Sequence, residues 1–300
     1  MKYVVTGGAG FVGSYLVKLL VKEGHQVIVI DNLHKGKKEN LNPVLKEIQF
    51  EKIDIRDYES LEKTTNDIDG IFHEAALTVV QDSFDRPEEY HDVNVIGTEN
   101  VFKSANKNGF KVVYASSSSV YGHKKDMPIN EDALREPINP YGQTKLDTEF
   151  LFEKYTKLGT KIIGLRYFNI FGQGQTLEYA GVITKFLDRV RQKKSPLIFG
   201  DGTQIRDFIY VEDVAMANLL SMTGNISNLL VNIGSGNAIT ILELANMVLN
   251  ASELDLKPIF ENPLDGDIKK SHANIMLATK ALNWRPRKDL SEWLLEVLKK

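Results

Sequence analysis

A glycine-rich turn directly after a strand-like run constrains this chain most. The β-branched run from Lys2 to Thr6 leads into Gly7-Gly8-Ala9-Gly10-Phe11-Val12-Gly13, and leucines then recur at helical spacing towards Gly24. Glycine lets a backbone approach a pyrophosphate closely, and the N-terminus of a helix offers free N–H groups to an anion. The order of strand, turn and helix therefore predicts a dinucleotide site at this turn.

A carboxylate ends the second predicted strand. The run from Gln26 to Ile30 is followed by Asp31, which lies 18 residues after Gly13. A carboxylate at this strand tip can accept both hydroxyls of an adenosine ribose, and it repels a 2′-phosphate. The residue therefore favours NAD over NADP. A turn or helix-cap aspartate is the alternative interpretation.

Further strand-like runs alternate with helical segments through the first half of the chain. They lie at about 48–53, 70–73, 111–115 and 161–166. This alternation predicts an α/β fold, a Rossmann-type doubly wound parallel sheet with helices on both faces. Past Asn169 the elements are shorter and mixed. We therefore expect a dinucleotide-binding domain at 1–169, to which about 207–236 returns, and a smaller mixed α/β substrate domain at 170–300.

The composition excludes several classes of function. The 300 residues contain no cysteine, so disulfides, thiol nucleophiles and cysteine-ligated zinc are ruled out. The six histidines show no metal-ligand spacing, and a net charge of -3 gives no nucleic-acid footprint. A strand at residues 3 to 6 leaves no room for a signal peptide, and no apolar run is long enough to span a bilayer. We expect a cytoplasmic protein with no metal, nucleic-acid or membrane partner.

Tyr141 and Lys145 are four residues apart in a segment of helical periodicity. On a helix both side chains lie on one face, so an ammonium can sit near a phenol. Lowering the pKa of a tyrosine by about three units takes about 4 kcal/mol, which one nearby positive charge supplies at an effective dielectric of about 20. The pair is a candidate general base for an alcohol proton. The alternative is a helix with a core tyrosine and a solvated lysine.

The chain resembles the extended short-chain dehydrogenase/reductase superfamily, in particular its nucleotide-sugar epimerase branch, which includes the UDP-galactose 4-epimerases. The resemblance covers essentially the whole chain, and its motifs arrive in family order. They are the glycine turn with Thr6, Asp31-Asn32-Leu33, Asp54-Ile55-Arg56-Asp57, His73-Glu74-Ala75-Ala76, Asn94-Val95-Ile96-Gly97-Thr98, the serine run from Ser116 to Tyr121-Gly122, Pro140 to Lys145, Arg166-Tyr167-Phe168-Asn169, and Gly200 to Phe208.

The resemblance implies roles for three groups of residues. Tyr141 is the base, Lys145 lowers its pKa and holds the nicotinamide ribose, and Ser117 is the catalytic hydroxyl, with the adjacent Ser118 as the alternative. The positions that match cofactor contacts, for NAD, are Gly7, Gly10, Phe11, Val12, Gly13, Asp31, Asn32, Asp54, Ile55, Ala75, Ala76, Asn94, Tyr141 and Lys145. The positions that match substrate contacts are Ser117, Ser118, Asn169, Arg206 and Ser271.

The implied reaction is a reversible oxidation at the sugar C4. Tyr141 takes the proton of the 4-hydroxyl, Ser117 bonds the oxygen, and the 4-keto sugar turns over before it is reduced on its other face. Dehydratases and decarboxylases of the superfamily carry acidic residues after the catalytic hydroxyl. Here Ser118 and Ser119 occupy those positions, which argues against both reactions.

Two positions bear on the substrate. Leu264 stands where many epimerases have an arginine that grips the diphosphate, so Arg206 carries more of that load and UDP recognition is less certain. Ser271 stands at the family's gatekeeper position, where a small residue leaves room for a 2-acetamido group. A serine in a surface loop is the alternative there.

The leading hypothesis is an NAD-dependent 4-epimerase of UDP-glucose and UDP-galactose that also accepts N-acetylhexosamines. A UDP-uronate 4-epimerase or another nucleotide-sugar oxidoreductase of the same fold is the runner-up. A non-catalytic NAD-binding sensor is the alternative from another class. The expected partner is a nucleotide sugar. Helices near 88–106 and 141–155 have broad apolar faces, which can either pack against their copies or cover the sheet, and the resemblance implies a homodimer.

Overall fold

A computed structural model describes residues 1–175, 177 and 181–299. Its centre is a sheet of seven parallel strands in the order β10-β6-β5-β4-β1-β2-β3. The strands are β1 (Lys2–Thr6), β2 (Gln26–Ile30), β3 (Ile48–Glu51), β4 (Gly70–His73), β5 (Lys111–Ser117), β6 (Ile162–Tyr167) and β10 (Leu229–Ile233). The order reverses between β1 and β4, as in doubly wound folds. The predicted α/β class is confirmed.

Helices pack on both faces of this sheet, and a second group of helices packs with the strands of the later chain. They are α1 (Phe11–Lys22), α2 (Tyr58–Thr64), α3 (Val80–Asp85), α4 (Pro87–His91), α5 (Gly97–Asn108), α6 (Pro140–Lys157), α7 (Val182–Arg191), α8 (Val211–Thr223), α9 (Ile241–Ser252), α10 (Met276–Leu282) and α11 (Leu290–Leu298). A π-turn at Asp92–Ile96 joins α4 to α5.

The strands are buried on both faces because their β-branched and aromatic side chains contact helices on each side. Val5 and Val29 face a core shared with α1 and α8, while Val4 and Ile71 face a second core shared with α5 and α6. The helices on both faces therefore hold the carboxyl ends of the strands in position. A doubly wound fold places its binding site at these ends.

Two small sheets belong to the second half of the chain. One contains β11 (Ala238–Thr240), β9 (Ile205–Tyr210) and β7 (Asn169–Phe171), and the other pairs β12 (Ile259–Glu261) with β8 (Leu197–Phe199). They pack with α7, α9 and α11 around a separate apolar core that contains Phe186, Leu244 and Trp293.

Some of the later chain returns to the first core. β10 pairs with β6, and Ala278, Leu282 and Trp284 near the end of the chain pack against the same core as α1. The split into two domains stays a prediction. In the part of the chain that the structure describes, no helix combines the length and apolar character needed to cross a membrane.

Candidate active site

The glycine turn is packed too tightly for side chains. A Cβ added at Gly13 would lie 2.2 Å from the Gly7 carbonyl oxygen, and one at Gly7 would lie 2.7 Å from the Ala75 nitrogen. Gly7 also has a φ of +67°, which favours glycine. α1 begins at Phe11 without a side-chain cap or an acidic residue in its first turn. Its first N–H groups are therefore available to an anion, as a pyrophosphate site requires.

A first cavity, here called the Asp31 cavity, lies at the ends of β2 and β3. Its lining includes Asp31, Asn32, Asp54 and Ile55 together with the glycine turn. The Asp31 carboxylate accepts the backbone N–H groups of Ala9 at 3.0 Å and Leu33 at 2.8 Å, which fixes its orientation. Each of its oxygens retains acceptor capacity, so the residue fits a ribose diol.

Asp54 is held in the Asp31 cavity by two neighbours. Arg56 donates two hydrogen bonds to its carboxylate at 2.9 and 2.8 Å, and Asn32 donates a third at 2.9 Å. The bonds from Arg56 are the main reason that the pKa of Asp54 lies well below its usual range. The carboxylate therefore stays charged and rigid across the physiological pH range.

Asn94 behaves differently from the other matched cofactor positions. It is buried, and its carboxamide is engaged with the backbone N–H and C=O of Leu77 and with the Thr144 hydroxyl. These bonds tie the segment after β4 to the catalytic helix α6. Asn94 thus holds the cavity wall in place, and its contact with the cofactor stays a prediction.

A second cavity, the Tyr141 cavity, has a volume of about 370 Å³. It is lined by the predicted catalytic residues and by predicted cofactor residues from distant parts of the chain. These are Gly7, Gly10, Phe11, Val12, Gly13, Ala76, Ser117, Tyr141 and Lys145. Ala75 lines the adjoining Asp31 cavity. The fold therefore brings the glycine turn and the tyrosine–lysine pair together, although more than 120 residues separate them in sequence.

Tyr141 and Lys145 lie in the first two turns of α6. Asn139 caps this helix by accepting the Gly142 N–H at 2.8 Å, and Pro140 occupies its first position. The Lys145 ammonium donates a hydrogen bond to the carbonyl oxygen of Ala115 at 2.8 Å. The cap and this bond fix both side chains at the carboxyl ends of β4 and β5.

The electrostatics of Tyr141 differ from the expectation that Lys145 lowers its pKa. Burial raises the pKa of Tyr141, and the Ser117 hydroxyl acts in the opposite direction. Burial also lowers the pKa of Lys145 to about 8. The ammonium donates its hydrogen bond to the Ala115 carbonyl, and burial is the main influence on the pKa of Tyr141.

Ser117 and Ser118 occupy different places. Ser117 ends β5 and lines the Tyr141 cavity, and its hydroxyl accepts the Ser119 N–H at 3.1 Å. Ser118 lines the neighbouring third cavity instead. The separation favours Ser117 over Ser118 as the hydroxyl that works with Tyr141.

The third cavity, the Arg206 cavity, has a volume of about 360 Å³. It is lined by Ser118, Asn169, Arg206, Leu264 and Ser271 among others, so the predicted substrate positions other than Ser117 share one space. Ser271 is 4% exposed rather than on the surface, and its N–H bonds the Ile205 carbonyl at 3.0 Å. The alternative of a surface serine is therefore wrong.

Arg206 lies largely buried beside an acid. It forms an ion pair with Asp267 at 2.5 Å and donates to the Ile205 carbonyl at 2.8 Å. Burial lowers the pKa of Arg206, and Asp267 opposes that shift. Lys185, an exposed residue of α7, adds a second cation to the same cavity.

Several charged residues of these cavities have no role predicted from the sequence, and two of them bear on the chemistry of the site. Glu74 lines both the Asp31 and Tyr141 cavities, and Lys185 lines the Arg206 cavity. Glu74 directly follows a buried strand, which is a signal that could have identified it. Nothing in the local sequence around Lys185 sets it apart from other helix lysines.

The comparisons with known proteins agree with this geometry. Residues 3–234 match the model of the NAD dependent epimerase/dehydratase family. The chain belongs to this family. Membership confirms the predicted enzyme class, an NAD-dependent nucleotide-sugar epimerase, and the predicted cofactor, NAD.

Similar proteins within the family act on different sugars. A Methanocaldococcus jannaschii protein, provisionally named UDP-glucose 4-epimerase, is 38% identical over 98% of this chain and 96% of its own. The Thermotoga maritima UDP-glucose 4-epimerase, solved with UDP-glucose, is 35% identical with a TM-score of 0.95, covering 100% and 98%. The Methanobrevibacter ruminantium UDP-N-acetylglucosamine 4-epimerase, solved with UDP-N-acetylmuramic acid, is 37% identical with a TM-score of 0.93, covering 99% and 97%.

Proposed function

We propose that the protein interconverts the C4 epimers of a UDP-linked hexose, with UDP-glucose and UDP-galactose as substrates and their N-acetylated counterparts accepted as well. The observation that carries the proposal is the Tyr141 cavity, in which Ser117, Tyr141 and Lys145 lie beside the glycine turn. The positions after the catalytic serine are Ser118 and Ser119, which cannot act as the acids that dehydration needs.

Three side chains share the work at C4. Tyr141 takes the proton of the sugar 4-hydroxyl and later returns a proton to the 4-keto oxygen. Ser117 donates a hydrogen bond to that oxygen and steadies its developing charge. When bound, NAD would supply a reversible acceptor for the hydride of C4, with no net change of the cofactor over a turnover.

Lys145 is the cation that this chemistry needs. Burial favours the neutral phenol of Tyr141, so proton transfer to the base requires positive charge nearby. Lys145 lines the same cavity and is held by the Ala115 carbonyl, within the helix turn that follows Tyr141. We assign it the support of the phenolate and the binding of the nicotinamide ribose.

The nucleotide sugar binds in the Arg206 cavity. Arg206, which is paired with Asp267, and Lys185 place two cations there, which suits a diphosphate. Leu264 cannot form the two hydrogen bonds that an arginine would donate to a phosphate. Asn169 adds an amide to the lining, and the small Ser271 leaves space for an acetamido group.

A UDP-uronate 4-epimerase is the second candidate, because Lys185 is a cation that a C6 carboxylate could also use. One assay separates the candidates. The purified protein is incubated without added cofactor with UDP-galactose, UDP-N-acetylgalactosamine or UDP-glucuronate, and products are resolved by chromatography.

We expect the 4-epimers of UDP-galactose and UDP-N-acetylgalactosamine to form. Turnover of UDP-glucuronate alone would favour the second candidate. No turnover of any sugar nucleotide would contradict the proposal and favour an NAD-binding sensor. Exclusion of the acetylated sugar alone would contradict the assignment of Ser271.

A homodimer is proposed from the exposed apolar side chains along α6. Phe150 is 49% exposed and Leu158 at the end of the helix is 60% exposed. Contact between two copies would cover them. Sedimentation of the wild type and of Phe150→Lys tests the assignment, because a dimer should weaken in the variant, and a monomeric wild type would contradict it.

A further inference from the structure

Glu74 is a charged residue that the reaction at C4 does not yet use. It follows the last residue of β4, His73, which pairs with Tyr114 of β5. Glu74 is therefore level with Ala115, whose carbonyl oxygen accepts the Lys145 ammonium. Glu74 and Lys145 thus both line the Tyr141 cavity, at the carboxyl ends of adjacent strands.

A chain of hydrogen bonds holds Glu74 in this position. The Tyr167 hydroxyl donates to the Glu74 carboxylate at 2.9 Å, and it accepts a bond from the Asn218 amide at 2.7 Å. Tyr167 and Asn218 are both buried. A side chain fixed by buried partners loses little further freedom when it serves a second group, so Glu74 can act on Lys145 without reorganisation.

The charges of the two groups act on each other. Burial raises the pKa of Glu74 to about 7, while Tyr167 and Lys145 oppose that shift. Glu74 in turn opposes the fall of the Lys145 pKa that burial causes. At neutral pH and above, Glu74 is thus increasingly the counter-charge of a buried ammonium.

Three other titratable groups near Lys145, namely His73, Tyr141 and Tyr167, are neutral in this range, and Lys35 is a further basic residue that lines the cavity. Burial and then the charge of Lys145 lower the pKa of His73 to about 3, and the imidazole bonds Thr6 and Thr98. Burial raises the pKa values of Tyr141 and Tyr167. Of the acids and histidines that act on Lys145 here, Glu74 is the one that carries charge.

We propose that Glu74 is a positioning residue that keeps the Lys145 ammonium charged and in place next to Tyr141. The inference rests on the role proposed for Lys145 in the reaction at C4. A carboxylate here would extend the pH range of the enzyme upward, because the cation that supports the phenolate would persist to higher pH.

The test compares Glu74→Gln with the wild type in the NAD-bound protein. The pKa of Lys145 is followed by the 13Cε shift in protein labelled with 13C-lysine, with Lys145→Arg used to assign the signal. We expect the Lys145 pKa to fall in Glu74→Gln by about one unit or more, as loss of a close opposite charge predicts. The alkaline limb of the epimerase pH profile should move down by the same amount.

Three further variants serve as controls for Glu74→Gln. Glu99→Gln removes a carboxylate of α5 that pairs with Lys154 at the surface, and it should leave both readouts unchanged. Glu74→Asp keeps the charge and should keep the Lys145 pKa closer to the wild-type value. Tyr167→Phe removes the bond to Glu74 and should lower the Lys145 pKa by less than Glu74→Gln does, which keeps the test open if Glu74→Gln fails to fold.

Unchanged Lys145 titration in Glu74→Gln, or in Tyr167→Phe if the former does not fold, overturns the inference. An inactive wild type would instead defeat the proposed function, while the titration would still decide the role of Glu74.

Discussion

The cofactor side and the sugar side that we propose for this site are built in different ways. The cofactor side consists of strand ends and one glycine turn, where backbone atoms touch: a Cβ at Gly13 would meet the Gly7 oxygen at 2.2 Å. The sugar side consists of side chains from α7, β9 and the segment around Leu264 and Ser271. Backbone contacts demand particular residues, whereas side chains on separate segments can be exchanged singly.

The difference suggests how such an enzyme can change its substrate. Leu264, which lines the Arg206 cavity, is 42% exposed and lies outside the helices and strands. We expect a change there to alter recognition of the sugar nucleotide without disturbing the fold. The four substitutions that follow test whether the two sides are separable in this way.

Tyr141→Phe should have the largest effect. It removes the base while leaving α6 and its cap intact, and general bases contribute about 100- to 10,000-fold to rates. We expect turnover to fall about 1,000-fold while the NAD content of the purified protein is unchanged. Initial rates and the absorbance of released nucleotide measure the two quantities. Residual turnover near the wild-type rate would refute the assigned base.

Gly13→Ala should come next, because the added methyl has no space. Overpacking of this kind costs about 1–3 kcal/mol, and the displaced turn should weaken NAD binding about 100-fold. Gly181→Ala is the matched control on the sugar side, since nothing lies within 4 Å of a Cβ there. Calorimetric titration with NAD measures both variants. An equal loss of NAD affinity in Gly181→Ala would contradict the distinction between the two sides.

Arg206→Gln should raise the KM for a UDP-sugar by about 10- to 100-fold, because hydrogen bonds to charged groups contribute about 1.5–3 kcal/mol. NAD content should not change. Leu264→Arg is the converse variant and should lower the KM by restoring a fork donor. Steady-state kinetics measure both effects. An unchanged KM in both variants would contradict the proposal that the diphosphate binds in this cavity.

Ser271→Tyr should have the smallest effect. A tyrosine would occupy part of the Arg206 cavity, so the rate on UDP-N-acetylgalactosamine should fall about tenfold relative to UDP-galactose. The ratio of kcat/KM values for the two sugars is the measurement. Ser271→Ala is the control and should keep the ratio. If the tyrosine variant also kept it, the acetamido group would not lie near this residue.

The sequence predicted the cofactor side more completely than the sugar side. Strands, glycine spacing and the i, i+4 pair of Tyr141 and Lys145 are local patterns, so the α/β class and the strand ends could be predicted. The contacts of Asn94 with Leu77 and Thr144 were not predictable, because they join three segments. The same holds for Glu74, whose influence on Lys145 depends on the pairing of β4 with β5.

The partners of the charged side chains in the site could not be predicted from the sequence either. Spacing on a helix indicates that a lysine can approach a tyrosine, but it does not show that the ammonium is directed to the Ala115 carbonyl instead. Similarly, the sequence identifies Arg206 without revealing its ion pair with Asp267. Both interactions depend on burial. A charged group that is removed from water is costly unless it forms hydrogen bonds or ion pairs within the protein.

The most direct test of the account follows the hydrogen at C4. The purified protein is incubated with UDP-galactose in D2O without added cofactor, and the product is analysed by proton NMR. Removal and return of the same hydrogen predicts UDP-glucose that retains its proton at C4. Deuterium at C4, or no product until NAD is added in excess, would contradict the claim that this site carries out a self-contained epimerisation.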